Sequence, residues 1–326
     1  MSAPKVSVIV PIYNVEKYIG KCLNSIRKQS FGDFEVLLIN DGTPDNSMEI
    51  AKKYADKDSR FHIYNKKNGG LSDARNYGIA RARGDFLVFI DSDDYIHKDY
   101  LEVLYMECIR NNADISCCRY KIAFPSGVAV PMPVNKGHIV LDGKEALDVL
   151  IRDQYLQSYA WNKMYRRTLF TDHGITYPAM YFEDIATTAR VMHHANKVVI
   201  TDKYLYYYVR RSGSIMTTMN SKKINDYIRS YYIIRNYLQN ENDYDDYKGA
   251  IKRAGKKFCL INKYSIIRQH LLNLNFDKIK FNMATNKMLY EYLISDKFKA
   301  SPGEPQLPEE IRQHVRKNKK SKSRFT

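Results

Sequence analysis

Three carboxylates, Asp91, Asp93 and Asp94, lie within a four-residue stretch that directly follows an apolar run at 86–90. An apolar run of this length predicts a strand buried on both faces, as in a parallel sheet. Ligands bind at the carboxyl edge of such sheets, and clustered carboxylates repel one another unless a cation or a proton lies among them. Their oxygens suit Mg²⁺ or Mn²⁺. Taken alone, however, a short acidic turn is more often a solvated cap of the following helix.

Three further side chains follow predicted strands in the same way. Tyr13 follows the first strand, Asp41 follows the second, and Arg75 lies in a glycine-loosened helix start after the third. An aromatic ring can stack on a base, a carboxylate can accept from a base or a sugar hydroxyl, and arginine with a metal can hold a diphosphate. The four turns together predict a nucleoside-diphosphate site, although each residue alone has an ordinary structural explanation. Neither a dinucleotide-binding glycine fingerprint nor a P-loop is present in the sequence.

The elements that must position these residues alternate regularly through residue 95. Apolar runs predict strands at 5–12, 34–40, 61–64 and 85–90, and helical spacing predicts helices at about 14–29, 47–57 and 71–83. Such alternation predicts right-handed crossovers and an α/β fold with a mostly parallel central sheet.

The rest of the chain is less regular. Helices are expected near 98–110, 144–152, 166–173 and 181–194, strands near 114–122, 138–141, 197–200 and 204–209, and a proline-rich loop at 125–133. From 221 to about 294 the pattern is helical, with a break near 243–247. We therefore expect a catalytic domain at 1–220, with a nucleotide-binding half at 1–95 and an acceptor-binding half at 96–220. A helical extension at 221–300 and a basic, flexible tail at 301–326 should follow.

Composition indicates a globular protein with a basic C-terminal third. Residues 221–326 hold 23 Lys and Arg against 11 Asp and Glu, so 12 of the 16 net positive charges lie there. An acidic lipid surface, a nucleic acid or a phosphorylated substrate would suit that charge. Five cysteines without metal-ligand spacing indicate reduced thiols, and no apolar run is long enough to span a membrane. These features favour a cytoplasmic location.

The four motifs, taken in order and spacing, carry a family resemblance. The segments at 8–14, 40–42, 70–76 and 91–94 resemble the inverting glycosyltransferase family 2, which has the GT-A fold, and the similarity covers about 5–215. The resemblance implies a metal-dependent transferase that uses a nucleotide-sugar donor, usually a UDP-sugar.

The resemblance also implies roles for the donor side of the site. Tyr13 would stack on uracil, Asp41 and Arg75 would hold the base, and Pro11 would also belong to the donor-binding residues. Asp91 would lie near the ribose and the metal, with Ser92 beside it, and Asp93 would ligate the Mn²⁺ or Mg²⁺.

A single displacement at the anomeric carbon also needs a general base. Glu183 and Asp184 follow two aromatic residues at a predicted helix start and resemble the family's acidic pair, whose aspartate would be the base. One carboxylate must take the acceptor hydroxyl's proton, and a metal can stabilise the leaving diphosphate. Asp184 is the preferred candidate and Glu183 the second. Acidic residues at a helix start are also explained by the helix dipole alone.

Two more segments complete the predicted site. Trp161 and Lys163 lie in a segment that resembles a recurrent one in these enzymes, so they are candidates for acceptor contacts, with core packing an alternative for Trp161. Arg211 and Ser214 follow a tyrosine-rich predicted strand and could close over the diphosphate as a lid, although a half-buried sheet edge explains that strand as well.

The sequence thus predicts a cytoplasmic, inverting, metal-dependent glycosyltransferase that acts on a lipid-linked or growing surface glycan such as a capsule polysaccharide. Its partners would be a UDP-sugar, the glycan acceptor and an anionic membrane surface bound through the basic C-terminal region, with a homo-oligomer interface as another use of the helices. A sugar-phosphate nucleotidyltransferase is the alternative among enzymes. A nucleic-acid-binding protein is the alternative suggested by charge, but no readout module is present.

Overall fold

The computed structural model of the protein describes residues 3–134, 136–211, 221–271, 276–295, 297–298, 309–310 and 312–313. The chain divides into two compact units. The first comprises Met1–Leu150 with Gln154–Thr217, and the second comprises Ile151–Asp153 with Thr218–Thr326.

The first unit begins with four parallel strands and their crossover helices. These elements, in chain order, are β1 (Val6–Ile12), α1 (Ile19–Arg27), β2 (Phe34–Asn40), α2 (Ser47–Ala55), β3 (Phe61–Asn65), α3 (Leu71–Ile79) and β4 (Phe86–Phe89). The strands are ordered β3-β2-β1-β4, and every neighbouring pair is parallel. All residues of β1 and β4 are buried, as expected for central strands covered by helices on both faces.

The second half of this unit extends the same sheet. Its elements are β5 (Tyr95–Ile96), α4 (Tyr100–Asn111), β6 (Ile115–Ala123), β7 (Ala129–Pro131), β8 (Ile139–Asp142), α5 (Gly143–Ile151), β9 (Lys163–Arg166), α6 (Thr168–Thr171), α7 (Glu183–His193) and β10 (Lys197–Val209). The sheet continues from β4 as β9-β6-β10-β5, with β7 on β6 and β8 on β10. β9 runs antiparallel between β4 and β6, whereas β6 and β10 are parallel. The predicted α/β class with a mostly parallel sheet is confirmed.

Several element bounds differ from the sequence-based predictions. The first helix begins at Ile19 rather than near 14, because Asn14 has a left-handed backbone (φ +54°) that a helix does not admit. The short strand β9 was not predicted, and β7 lies within the predicted proline-rich loop. The two strands expected at 197–200 and 204–209 form one strand, β10, with register shifts between Ile200 and Tyr206.

The main core lies between one face of the sheet and helices α1, α2 and α4. Its fully buried members include Val8, Val10, Ile19, Leu23, Val36, Val88 and Leu104. On the opposite face, α3 packs tightly against β1. A Cβ atom on Gly78 would lie 2.5 Å from Cγ2 of Ile9, so the glycine permits this close approach and thereby fixes the position of α3.

The second unit contains α8 (Ser221–Asn240), α9 (Tyr244–Leu271) and α10 (Phe276–Ile294). Asn242 has a left-handed backbone between α8 and α9, which accounts for the break near the predicted position. Tyr232 donates to the carbonyl of Leu289 at 2.5 Å, and Arg235 donates to the carbonyls of Leu293 and Ser295, so α8 is fastened to the end of α10. Among the described residues, no helix is long and apolar enough to cross a membrane.

Candidate active site

Asp41 organises the turn that precedes α3. Its carboxylate, only 3% exposed, accepts hydrogen bonds from the backbone N–H groups of Gly69 at 2.9 Å and Gly70 at 2.8 Å, and it pairs with the Lys66 ammonium. Gly70 has φ +88°, a conformation that favours glycine, and is followed directly by α3. The end of β2 therefore fixes the start of the helix that carries Arg75.

Tyr13 lies at the carboxyl end of β1, next to this turn in the sheet. Its side chain is 48% exposed, in contrast to the buried residues of the strand before it, Pro11 included. The following residue, Asn14, is held by a hydrogen bond from its N–H to Oγ1 of Thr43 at 2.8 Å. The structure thus presents a flat aromatic surface to solvent at the edge where the parallel strands end.

Arg75 occupies the centre of the site and joins its two halves. Its Nη2 donates to Oδ1 of Asp91 at 2.9 Å, and its Nη1 donates to Oε1 of Glu183 at 2.6 Å. Burial disfavours the charged guanidinium, but the two carboxylates outweigh that effect and raise the pKa of Arg75 above its usual value. The arginine is therefore a permanent positive charge between the end of β4 and the start of α7.

The acidic cluster separates into residues with different environments. The Asp91 side chain lies beside Arg75 and is 23% exposed. Asp93 instead forms an ion pair with Arg211, and the distance between Oδ2 of Asp93 and Nε of Arg211 is 2.6 Å. The Nε–H group of Arg211 is not aligned for a hydrogen bond. Burial and the neighbouring charge of Asp91 raise the pKa of Asp93, and Arg211 opposes that shift. Ser92 is buried between them. Each of the two carboxylates, Asp91 and Asp93, thus lies beside an arginine.

Asp94 instead fastens the acidic turn to β10. It accepts hydrogen bonds from the Tyr206 hydroxyl and from the Val209 N–H, both at 2.7 Å. The same Tyr206 oxygen accepts the Asp91 N–H at 3.3 Å. Burial is the main cause that raises the pKa of Asp94 well above its ordinary value, and the negative charges of Asp93 and Asp91 raise it further. Sequence reasoning missed Tyr206, whose only signal was its place in a run of tyrosines.

Glu183 and Asp184 begin α7 and differ in their contacts. Glu183 is committed to Arg75, while Oδ1 of Asp184 accepts the Ile185 N–H at 2.9 Å. Burial among protein groups, and then the charge of Glu183, raise the pKa of Asp184 to about 7, with Arg75 and Lys163 opposing. A half-buried carboxyl with such a pKa can gain or lose a proton near neutrality.

Tyr177 adds a polar group that the sequence analysis did not identify. Asn76 holds its backbone through two hydrogen bonds of 2.8 and 2.9 Å, and its ring lies 5.2 Å from the guanidinium carbon of Arg75. Its buried hydroxyl has no hydrogen-bond partner in the described part of the chain, although the charges of Asp184 and Glu183 act on it. The Tyr177 hydroxyl is therefore a hydrogen-bond donor at the centre of the site that has no acceptor among the described residues.

Trp161 and Lys163 are built into the interior. The Trp161 ring, 6% exposed, stacks on Tyr206 at 4.3 Å and on Tyr159 at 4.8 Å. The fully buried Lys163 donates to the carbonyls of Gln157 and Tyr159 and to Oδ1 of Asn162, at 2.6–2.7 Å. The sequence analysis expected Lys163 to contact the acceptor, but its ammonium is already surrounded by protein oxygens. It braces the loop before β9.

The remaining predictions can be placed only in part. Arg211 lies beside Asp93, while Ser214 and the predicted lid around it fall outside the described residues. No group of three His, Cys, Asp or Glu side chains among the described residues is arranged to hold a metal ion. A metal ion at this site would have to be held by fewer than three of these side chains.

Comparisons with known proteins agree with this geometry. The family described as "Glycosyl transferase family 2" matches residues 7–174. The glycosyltransferase EpsH of Bacillus subtilis is 30% identical over 272 residues, covering 81% of this chain and 78% of that protein. Glycosyltransferase EpsJ of the same organism is 35% identical over 234 residues, covering 70% and 68%. The crystal structure of Staphylococcus aureus TarS 1-349 with UDP-GlcNAc has the same fold, with a TM-score of 0.59, 22% identity and coverage of 93% and 96%.

A parallel sheet whose carboxyl edge carries an arginine between two acidic segments, together with these relatives, defines a glycosyltransferase of the GT-A type. The chain belongs to glycosyltransferase family 2. The family resemblance inferred from the sequence motifs is confirmed, as is the expected glycosyltransferase activity.

Proposed function

We propose that the protein transfers a sugar from a nucleotide-sugar donor, specifically a UDP-sugar, to a hydroxyl of a lipid-linked or growing surface glycan with inversion at the anomeric carbon. The observation that carries this proposal is the Arg75 bridge, which holds Asp91 and the Glu183–Asp184 pair around one cleft edge. The TarS neighbour is described in complexes with UDP-GlcNAc and with UDP, which supports the donor class.

The donor is proposed to lie across the ends of the parallel strands. The exposed ring of Tyr13 suits stacking on uracil. Asp41, which already binds two glycine amides and the Lys66 ammonium, would use a remaining lone pair of Oδ2 for a base N–H. Pro11 and Ser92 shape the wall of this site, and Arg211 would move from Asp93 to the diphosphate. We extend the same diphosphate role to Ser214.

Asp91 and Asp93 are the groups that would hold Mn²⁺ or Mg²⁺. The donor set fits, because Mg²⁺ commonly takes one or two carboxylates and completes its shell with water and phosphate oxygens. The raised pKa of Asp93, caused by burial and by Asp91, records an electrostatic cost that a cation would relieve. When bound, the ion would supply positive charge to the leaving diphosphate.

Asp184 is proposed as the general base. Glu183 is held by Arg75, whereas Asp184 keeps an oxygen for the acceptor. Asp184 would take the hydroxyl proton as the acceptor oxygen forms its bond to the anomeric carbon. The bond from that carbon to the diphosphate oxygen breaks in the same displacement. Trp161 and Lys163 would act indirectly, by supporting the loop before β9, which would border the acceptor.

We further propose that the protein works at the inner face of the cell membrane, with its basic C-terminal region on anionic lipid. The helical unit offers such a surface, or one for a partner or a second copy. These roles rest on the excess of positive charge in residues 221–326.

A panel of nucleotide sugars tests the proposed reaction. The protein is incubated with each donor and a lipid-linked glycan extract, with EDTA or with Mn²⁺, and released nucleoside diphosphate is measured. We expect release of UDP that requires Mn²⁺ or Mg²⁺. Failure to turn over or bind any nucleotide sugar, or synthesis of a nucleotide sugar from a sugar phosphate, would contradict the proposal.

A further inference from the structure

Cations and tyrosines alternate across the outer strands of the first unit, starting beside the acidic turn, where Tyr95 directly follows Asp94. We call this group the cation–tyrosine strip. Its members come from α1, β5, β6 and β10. They are Lys21, Tyr95, Arg119, Lys121, Tyr204 and Tyr207.

Each cation of the strip lies over a tyrosine ring. The Arg119 guanidinium carbon is 5.7 Å from the centre of the Tyr204 ring, and Nζ of Lys121 is 5.6 Å from that of Tyr207. Tyr207 stacks on Tyr95 at 4.5 Å with the rings almost parallel. Nζ of Lys21 then lies 3.5 Å from the Tyr95 ring centre. The strip is therefore a continuous surface of partly exposed rings and positive charges.

Among the residues that the structure describes, no carboxylate forms an ion pair with Lys21, Arg119 or Lys121. Arg75, Arg83 and Arg166 in the same unit each form an ion pair with a carboxylate. Arg119 forms none within the described ranges: its Nε and Nη2 are buried without a hydrogen-bond partner, and Nη1 meets only the Val134 carbonyl at 3.5 Å. Buried guanidinium nitrogens without an acceptor are costly, so this partly exposed arginine is suited to an anion that comes from outside the chain.

A small cavity beside Arg119 offers space for such an anion. Tyr155, Gln157 and Asn162 share its lining with Arg119, and no carboxylate is among the lining residues. The cavity encloses about 30 Å³, which admits the oxygens of an anionic group but not a sugar ring. Nζ of Lys136 lies 5.5 Å from the Tyr155 ring centre and adds positive charge at this position.

The strip leads away from the candidate base along β6. Cys117 of β6 pairs in register with Lys163, whose charge acts on Asp184. Arg119 and Lys121 follow on the same face of the strand, two and four residues further on. At about 3.3 Å per residue they lie about 7 and 13 Å beyond Cys117. Cys117 and Lys163 are buried, so an acceptor chain would reach the strip over the acidic turn, where Tyr95 directly follows Asp94.

We infer that the cation–tyrosine strip binds an anionic stretch of the acceptor glycan. Phosphate or carboxylate groups of the glycan would pair with Arg119, Lys121 and Lys21, while sugar faces would pack on the tyrosine rings between them. This inference rests on the proposed function, because it assumes a glycan acceptor, and it adds the chemical class of that acceptor.

Direct binding tests the inference without any transfer reaction. The full chain is titrated calorimetrically, in the absence of nucleotide, with three hexasaccharides: one carrying carboxylates, one carrying phosphates and one neutral. We expect at least one anionic hexasaccharide to bind more tightly than the neutral one, and the tighter of the two identifies the anion. Arg119→Gln and Lys121→Gln should each weaken that binding by about fivefold.

A charge-matched variant separates the strip from the general basic charge of the protein. Lys53→Gln with Lys57→Gln removes two exposed positive charges at and just after the end of α2, near the opposite edge of the sheet, and should leave the affinity unchanged. Lys21→Gln, which alters an exposed residue, repeats the test if Arg119→Gln does not fold.

The outcomes distinguish this inference from the proposed function. If nucleotide sugar is turned over but strip variants bind every hexasaccharide like the original protein, the strip is not the site and the inference fails alone. Equal losses in the variant that changes both Lys53 and Lys57 would also overturn it. If anionic glycan binds through the strip but no nucleotide sugar is used, only the proposed function fails.

Discussion

Asp184 and Asp93 are both acidic, yet their surroundings give them different expected roles. Asp184 lies at the start of α7 with a raised pKa, and Asp93 lies beside Arg211. We expect Asp184→Asn to retain donor binding and to reduce turnover by about 10²–10⁴-fold, the usual effect of losing a general base. Asp93→Ala should weaken metal-dependent donor binding itself. Calorimetric titration with UDP-sugar and steady-state rates would check both, and the reverse pattern would mean that the two roles are exchanged.

The pKa of about 7 at Asp184 predicts how activity and stability depend on pH. Since the base must be ionised, kcat/KM should fall about tenfold for each pH unit below about 7. The unfolded carboxyl ionises near pH 3.9, so between that pH and about 7 the folded state binds more protons than the unfolded state. This group therefore lowers the free energy of unfolding as pH rises through that window. Asp184→Asn should remove this decline in urea titrations, and an unchanged slope would contradict the assignment.

Tyr177 and Tyr206 provide a matched pair of buried phenols. The Tyr177 hydroxyl has no partner in the described part of the chain, whereas the Tyr206 hydroxyl binds Asp94. Tyr206→Phe should lower the free energy of unfolding by about 1–3 kcal/mol, because it leaves a buried carboxyl oxygen unsatisfied. Tyr177→Phe should cost nothing or add stability. Equal losses of stability in the two variants would show that Tyr177 has a partner after all.

Among the elements, α3 is the one whose position matters most, since it carries Arg75 to the cleft. Gly78→Ala would bring a Cβ to within 2.5 Å of Ile9 Cγ2, so we expect a net loss of about 1–3 kcal/mol despite the better helix propensity of alanine. Gly249→Ala in α9 is the control: its Cβ meets nothing within 4 Å, so it should stabilise that helix. Thermal unfolding and UDP-sugar affinity would be measured for both. A stabilised Gly78→Ala protein would show that the close packing is not rigid.

The sequence predicted the regular elements well because their signals are local. The apolar strands β1, β2 and β4 and the crossover helices between them follow from periodicity alone. β9 escaped prediction because it has only four residues, begins with Lys163 and ends with Arg166. Its strand conformation depends on pairing with β4 and β6, which single-sequence patterns do not reveal.

The sequence predicted which residues belong to the nucleotide side of the site, but it did not predict which residues they contact. Sheet topology accounts for the meeting of Arg75 and Asp91, because α3 carries Arg75 and the next strand, β4, leads to Asp91. The Arg75–Glu183 pair and the Tyr206–Asp94 bond span 108 and 112 residues, so no local pattern specifies them. The burial of Lys163 was likewise hidden, because a lysine is rarely enclosed by carbonyl oxygens.

At the scale of the whole molecule, the uneven charge predicts how the protein meets a membrane. Twelve of the net positive charges lie in residues 221–326. Liposomes with anionic lipid should retain the full chain better than a chain that ends at Pro302, and high salt should abolish the difference. Co-sedimentation with neutral liposomes is the control. Equal retention of both chains by anionic liposomes would reject a membrane role for the tail.

The Arg75 bridge also limits how enzymes of this kind can be recombined. One guanidinium is bonded to a strand-end carboxylate from the nucleotide side and to a helix-start carboxylate from the acceptor side. A chimera that takes its acceptor half from a relative would keep the bridge only if that half brings a carboxylate to the position of Glu183. Without a carboxylate at that position, the buried Arg75 would lose one of its two partners where the two halves meet. Exchange of acceptor specificity by swapping halves should therefore succeed only between parents that share this charge.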